Sequence, residues 1–484
     1  MTPRGHLCSN ARVTAPALDQ FQLDTLSFLD HARGRAVLAD PMGARKTGTT
    51  LAWLATQAVR HTLVVAPSAV HGHWAREAHR FYPEAHVISG QGTSAQRHLK
   101  LEGVLHDSEP VLYIVTYETM KQDQHKITVL NFDAIVFDEG HRLKGRTTQV
   151  SKCANAITKK ARHIICATGT PVLNHASELW QYLHMLAPRV YPAYWGWAEA
   201  HYKVEIKNFK GNRFPTRIVH GFRSDEEADR VRHQIEPFFI QRDIHELFPG
   251  QAWVEEPEHV EIEVELSAPE RKVYDTLVKH KWAIVGGREI TTSNALDRTT
   301  RLNQIVSDWS TVCPGLDEGT KVRATVELAF DLLERDEPVV IFAKYKATVA
   351  ALKLAFNSKN SAYAVDYTGD QSMQEREIAL NLFIKGKAKV IIGTLDSMSE
   401  GVDGMQHVAS NIIMVDRHWT PAKNDQAIGR LRRSGQLKRV TVYHIFAANT
   451  IDATITSACL RKLNVIQVLK NQPLIDSVYG RTEQ

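Results

Sequence analysis

Arg35-Ala-Val-Leu-Ala-Asp40-Pro-Met-Gly-Ala-Arg45-Lys46-Thr47-Gly-Thr-Thr50 passes from a short apolar run through a turn into a helix. Lys46 and Thr47 stand where a phosphate loop needs them. In such a loop backbone N–H groups and the helix N-terminus cradle phosphates, the lysine reaches the β and γ positions and the hydroxyl holds Mg²⁺. Gly43 supplies a flexible position in the turn, but Arg45 occupies the place of the glycine that usually precedes the lysine. Taken alone, the stretch reads equally well as an ordinary strand-turn-helix with a basic cap, so its neighbours must decide.

Working outward, short β-branched runs alternate with longer helical patterns as far as about residue 187, the pattern of parallel strands joined by crossover helices. Strands are expected at 36–39, 62–66, 111–116, 134–138 and 163–167, and the alternation returns after residue 320 with strands at 338–343, 389–394, 411–415 and 440–446. Two α/β lobes follow. Between them, 188–320 opens with an aromatic and basic stretch (Tyr191, Tyr194, Trp195, Trp197, Tyr202, then Lys203, Lys207, Lys210 and Arg213) and continues in mostly helical patterns. The expected organisation is an N-terminal lobe over 1–187, a helical insertion over 188–320, a second lobe over 321–455 and a packing helix with a tail over 456–484. For the aromatics, core packing is the first expectation and base stacking the alternative.

The strand 134–138 is apolar until it ends in Asp138-Glu139-Gly140-His141. Acids at the carboxyl end of a buried strand are costly unless they work. One can hold Mg²⁺ while its neighbour orients or deprotonates the water that attacks a γ-phosphate; an acidic helix cap is the plainer reading. One crossover later comes Thr168-Gly-Thr170-Pro-Val-Leu-Asn174, a tight turn able to sense that phosphate. In the second lobe Gln426-Ala-Ile-Gly-Arg430-Leu-Arg-Arg433-Ser-Gly-Gln436 spaces Arg430 and Arg433 three apart, which on a helix puts both on one face toward one anion. A solvated basic face is the alternative. Asp403, after the turn at Gly401, can meet a ribose hydroxyl. Phosphate loop and acid pair in this order favour a nucleotide hydrolase.

Composition agrees. The 484 residues are enough for two to four domains, and 43% hydrophobic with 23% charged is ordinary for a globular protein. Five cysteines without a CxxC pair argue against zinc ribbons and disulfide frameworks, which points to a reducing compartment. From the polar N-terminus no signal peptide is expected, and no apolar run reaches the ~18 residues of a membrane span. A soluble, intracellular protein is expected. The formal charge of +5 permits a nucleic-acid partner without requiring one.

Together these residues resemble helicase superfamily two, and within it the Swi/Snf-type ATPase motors, over nearly the whole chain. Leu18 to Gln22 is similar to the adenine-reading glutamine motif, and Asp40 to Thr47 to the phosphate loop. Leu63 to Ser68, with Trp74 and Glu77 behind it, resembles a segment that touches the nucleic-acid backbone, as does Thr116-Tyr-Glu118. Asp138 to His141 looks like the DEAH box and Thr168 to Asn174 like the coupling motif. Gly393-Thr394 with Glu400 to Asp403 resembles the fifth motif, Asp416 to Pro421 the D-x-x-W-x-P stretch, and Gln426 to Gln436 the arginine-finger motif. Ile235 to Arg242 and Leu247 to Pro249 look like the helical linker, and with Trp195 and Trp197 they are similar to the annealing-helicase subgroup. Three positions depart from the pattern: Pro41 for an acid, Gly140 for alanine, and Arg45 for glycine.

The resemblance implies two tandem RecA-like lobes with a helical insertion, using ATP and Mg²⁺ to move along double-stranded DNA held through backbone phosphates. It implies catalytic roles for Lys46, Asp138, Glu139, Arg430 and Arg433. Nucleotide contacts would come from Gln22, Gly43, Lys46, Thr47, Gly401, Asp403 and Gln426, with Thr47 and Asp138 on the metal. DNA would meet Pro67, Ser68, Thr116, Thr394 and Trp419, while His141, Thr168 and Thr170 couple the two events. The lobes are expected to close on ATP. A monomer of bacterial or viral origin is expected. If Arg45 prevents turnover, the alternative is a nucleotide-gated DNA-binding module; a strand-separating DNA or RNA helicase is a third reading.

Overall fold

A computed structural model describes residues 16–104, 109–173, 175–208, 215–312, 316–358, 364–399 and 402–469. Expectations resting on Asn174, Lys210, Arg213, Glu400, Gly401, the first 15 residues and the tail from 470 lie outside the described residues. The chain divides into two compact units. The first comprises residues up to Pro171 with Leu179–Trp197 and His233–Arg242. The second comprises Val172–Glu178, Ala198–Arg232 and the chain from Asp243 onward.

The first unit is a parallel sheet of β1 (Arg35–Leu38), β2 (His61–Val65), β3 (His86–Ser89), β4 (Val111–Val115), β5 (Ala134–Asp138) and β6 (His163–Ala167). The next two strands, β7 (Tyr202–Lys207) and β8 (Thr216–Phe222), form a separate antiparallel hairpin in the second unit. A two-residue strand, β9 (Phe239–Ile240), then returns to the first sheet, whose order is β3-β4-β2-β5-β6-β1-β9. Strands β2, β4, β5 and β6 are almost wholly buried, as parallel strands covered on both faces must be. On one face pack three helices, α1 (Gln20–His31), α2 (Lys46–Thr56) and α3 (His71–Phe81), through Leu29, Trp53, Leu54 and Trp74. Because β5, β6 and β1 are neighbours, the turns after them emerge along one edge. Those turns carry Asp138–His141, Thr168–Thr170 and Asp40–Thr47.

The second unit is built on β10 (Glu258–Val264), β13 (Val339–Ala343), β14 (Ala364–Tyr367), β15 (Val390–Thr394), β16 (Asn411–Met414) and β17 (Thr441–Ala447), ordered β10-β17-β16-β13-β15-β14 and parallel throughout. Strand β13 shows the two-residue period in three dimensions: Val339, Ile341 and Ala343 enter one core while Val340 and Phe342 enter the core on the opposite face. Its edge strand β10 alternates partly buried apolar residues with Glu258, Glu261 and Glu263, charges that discourage further pairing.

The expected strands are present to within about a residue at each end. The stretch between the lobes is less uniformly helical than expected. Besides β7–β8 it holds a hairpin of β11 (Trp282–Val285) and β12 (Arg288–Thr291), turned through Gly286 and Gly287 at φ 53° and 77°. A two-residue turn with positive φ at both positions is a glycine signal that competes with helix. The short strands β3, β9 and β14 and the seven-residue edge strand β10 are further elements beyond those expected. Among the described residues no helix is long and apolar enough to cross a membrane.

Candidate functional site

Lys46 is the first residue of α2, and its ammonium donates to the carbonyls of Asp40 (2.7 Å) and Pro41 (2.8 Å), drawing the preceding turn into a loop. Burial pushes its pKa down, while the carboxylates of Glu139, Asp40 and Asp138 pull it back up. Gly43 has φ 85° and Arg45 has φ 49°, so the loop does require a left-handed backbone at the arginine. A side chain tolerates this at a cost of about 1–2 kcal/mol. The guanidinium turns toward α1, pairing with Asp19 at 2.5 Å, both groups about half exposed. Thr47, one residue into the helix, accepts or donates no side-chain hydrogen bond among the described residues. The turn after β6 comes close: a Cβ on Gly169 would lie 3.3 Å from the Met42 nitrogen.

The acid pair is held from several sides. Asp138 accepts from the Trp74 indole N–H (2.7 Å) and the Glu139 N–H (3.0 Å), and the Tyr117 hydroxyl donates to the Asp138 carbonyl at 2.7 Å. Burial, then the adjacent Glu139, push the Asp138 carboxyl up to about 6, against the opposing pull of Trp74 and Lys46. Glu139 sits at φ 53° with its carboxylate 3.2 Å from His141 Nδ1. The same nitrogen is 3.3 Å from the Thr168 hydroxyl, which accepts the Thr170 N–H at 3.2 Å. A buried chain of contacts therefore runs from Glu139 through His141 to Thr168 and Thr170. Among the described residues the Thr170 hydroxyl itself has no hydrogen-bond partner. At Gly140 an added Cβ would meet the Cys166 Cβ at 3.1 Å, so glycine eases the packing of this turn on β6.

Gln22 is 1% exposed: its amide oxygen accepts the Asp19 N–H (3.1 Å) and its amide nitrogen donates to Thr49 of α2 (2.9 Å). Asp19-x-x-Gln22 forms a capping box at the start of α1. The last residue of the linker motif has a role at this site that its place in that motif does not signal. Arg242, just after β9, ion-pairs with buried Asp40 and also donates to the Phe21 carbonyl (2.9 Å) and the Thr25 hydroxyl (2.6 Å). It ties α1 and the start of the phosphate loop together across 202 positions of sequence, a separation no local pattern signals.

Of the residues nominated for nucleic acid, Pro67 is buried, and Ser68, exposed, opens a short 3₁₀ turn. Thr116 and Thr394 occupy matched places. Thr116 follows buried strand β4 and Thr394 ends buried strand β15; each caps a short helix by accepting the N–H three residues on, and meets the hydroxyl of that third residue, Thr119 at 3.0 Å and Ser397 at 2.5 Å. Trp419 is half-buried and its carbonyl accepts from Lys462.

In the second unit the helix Pro421–Ile428 ends before the arginines, so Arg430 and Arg433 do not share a helical face. A glycine at position 429 and serine and glycine at 434 and 435 favour turns over helix. The turns nevertheless bring the two together, since both guanidinium groups reach the Val402 carbonyl, at 3.0 and 3.4 Å. Arg433 lies 3.3 Å from Asp403. Although burial opposes it, Arg433, Gln406 and the Gly404 N–H hold the Asp403 carboxyl below its usual range. Gln426 is buried, and its amide oxygen has no partner among the described residues. Arg432, between Arg430 and Arg433 in sequence, donates to the Val254 carbonyl (2.6 Å) and pairs with Glu256 (3.2 Å).

The SNF2-related domain family matches residues 21–313 and the helicase conserved C-terminal domain matches 320–435. An uncharacterized ATP-dependent helicase of Mycoplasma genitalium is 23% identical over 449 residues, covering 89% of this chain and 40% of its own length. A CHD3-type chromatin-remodeling factor of Arabidopsis thaliana is 23% identical, covering 95% and 37% respectively. An ISWI chromatin-remodeling complex ATPase of Saccharomyces cerevisiae is 23% identical, covering 90% and 39%. The chain thus spans about two fifths of the length of these relatives. Among solved structures, the Sulfolobus solfataricus SWI2/SNF2 ATPase core in complex with dsDNA aligns with a TM-score of 0.42 at 20% identity, over 95% of this chain and 94% of that one.

Proposed function

Because the chain belongs to the SNF2-related family, with a helicase C-terminal domain behind it, we propose that it is an ATP-hydrolysing motor that moves along double-stranded DNA and remodels DNA or its protein complexes. The observation that carries this reading is the grouping of Lys46, Asp138 and Glu139 within one electrostatic field at one sheet edge. Lys46 binds the β and γ phosphates, and Glu139 orients and deprotonates the attacking water. The donor set suits a hard cation: Thr47 offers a hydroxyl uncommitted among the described residues, and Asp138 a carboxylate already polarised by its neighbours. These two would hold Mg²⁺, which when bound supplies charge compensation for the phosphates. The contacts from Glu139 through His141 to Thr168 and Thr170 carry the state of the γ-phosphate away from the site. Arg430 and Arg433 of the second lobe add positive charge to the triphosphate as it breaks, and Asp403 and Gln426 help to seat the nucleotide.

DNA is held through backbone phosphates, with Ser68, Thr116, Thr394 and Trp419 in contact, which is why no base-reading module is needed. Two relatives bear names of chromatin-remodeling proteins, in keeping with a duplex track. The chain works as a monomer. The test is the ATPase rate with duplex DNA, single-stranded DNA and RNA. Duplex should stimulate most; a stronger response to RNA would move the chain to the strand-separating reading. The left-handed Arg45 favours one other reading, a nucleotide-gated DNA binder. ATP-dependent DNA affinity without hydrolysis would establish it.

A further inference from the structure

Arg146 lies in the turn between the acid pair and the next helix, and its guanidinium rests on two rings, 4.2 Å from the centroid of Tyr194 and 4.9 Å from that of Trp195. The rings meet edge to face at 5.0 Å, and Tyr194 is backed by Trp180 at 5.5 Å, which itself stacks on His184 at 4.6 Å. The shelf is therefore rigid. Trp197 and Tyr202 of the same aromatic stretch are core residues, 8% and 0% exposed, whereas Tyr194, Trp195 and Arg146 are only half-buried.

Among the buried and half-buried arginines of this lobe, Arg146 is set apart by its unspent hydrogen-bonding capacity. The others use their N–H groups internally: Arg35 on the carbonyls of Leu186, Met185 and Ala161, Arg97 on Asp123, and Arg242 on Asp40. Among the described residues no carboxylate, carbonyl or hydroxyl takes a donor of Arg146. A guanidinium seated over aromatic rings keeps its charge and its fork of N–H donors, the chemistry that suits an oxyanion. Two residues of like charge precede it at alternate positions, Arg142 and Lys144. Arg142, exposed, lies 5.7 Å from the ring of Tyr117, the residue after the candidate DNA contact Thr116.

We propose that Arg146, held on the Tyr194–Trp195 shelf, is a phosphodiester contact for duplex DNA, extending the track from Thr116 past Arg142. This rests on the reading of the chain as a duplex-binding motor. The test is nucleotide-free binding of the full chain to a short mixed-sequence duplex, measured by anisotropy across a salt series, for wild type, Arg146→Gln and Arg146→Lys. Both variants keep an aliphatic stem on the shelf, but only the lysine keeps the charge. Arg146→Gln should weaken binding about tenfold at low salt. Its log–log salt slope should be shallower than wild type by about 0.9, one phosphate contact. Arg146→Lys should keep the wild-type slope with part of the affinity lost, since an ammonium lacks the fork. A wild-type slope in Arg146→Gln, beside wild-type protein that binds duplex, overturns this assignment alone. Wild-type protein with no salt-dependent duplex binding overturns the motor reading, and this site with it.

Discussion

At the scale of single residues, Arg45 sets three small terms against one another. The left-handed backbone costs about 1–2 kcal/mol. Glycine there would relieve it but would gain about 0.5–1 kcal/mol of unfolded-state freedom. The exposed pair with Asp19 contributes at most about 1 kcal/mol. The terms nearly cancel, so Arg45→Gly should leave stability within about 1 kcal/mol of wild type in urea titration. Turnover is then the informative readout. With the guanidinium turned to Asp19, turnover should not fall on substitution; a fall would show that the arginine serves the phosphates. Asp138 gives a pH-dependent prediction. Its folded pKa is raised from 3.8 to about 6, so whatever stability it lends is present below its ordinary pKa and is lost as pH rises through about 6. In nucleotide-free protein Asp138→Asn should therefore add about 1–3 kcal/mol near pH 8 and almost nothing near pH 4, by denaturation at each pH. A gain that is equal at both would mean the acid is not desolvated. The same substitution should abolish ATP hydrolysis.

Secondary elements explain why parts of the site were legible and others not. Strands β1, β5 and β6 announce themselves as apolar runs ending in chemistry, and the motifs after them follow from local order. Gln22 follows a pattern that a capping box shares with an adenine-reading glutamine, and its contact with Thr49 of α2 is a tertiary feature that local sequence does not signal. Arg430 and Arg433 were placed on a helix by their spacing, yet the glycine and serine around them end it. Their meeting at Val402 depends on a fold-back that spacing cannot reveal. Strand β9 had no signal, being two residues long and fixed to β1 by the Val37 and Ala39 N–H groups, with Arg242 anchoring it to Asp40. Removing one partner of a buried pair leaves the other uncompensated, so Arg242→Ala should cost about 3 kcal/mol in chemical denaturation. It should also raise the KM for ATP, because Asp40 begins the phosphate loop. A loss under about 0.5 kcal/mol would show that Asp40 is solvated.

For the whole molecule, two parallel α/β lobes were evident from the alternation of strands and helices, since continuous apolar runs such as 339–343 can only be buried on both faces. The segments between them were harder. Their hairpins β7–β8 and β11–β12 are short and amphipathic, and Tyr194 and Trp195 acquire meaning only beside Arg146, which lies some fifty residues earlier in sequence. The proposed activity is motion along duplex DNA driven by ATP, and displacement of a third strand annealed at the end of a duplex reports that motion directly. Wild-type protein with ATP should displace the third strand at a rate that rises with ATP and falls with the length of duplex to be crossed. Lys46→Ala should bind the duplex yet displace nothing. Rapid duplex-stimulated hydrolysis by wild type with no displacement, or equal displacement by Lys46→Ala, would contradict it.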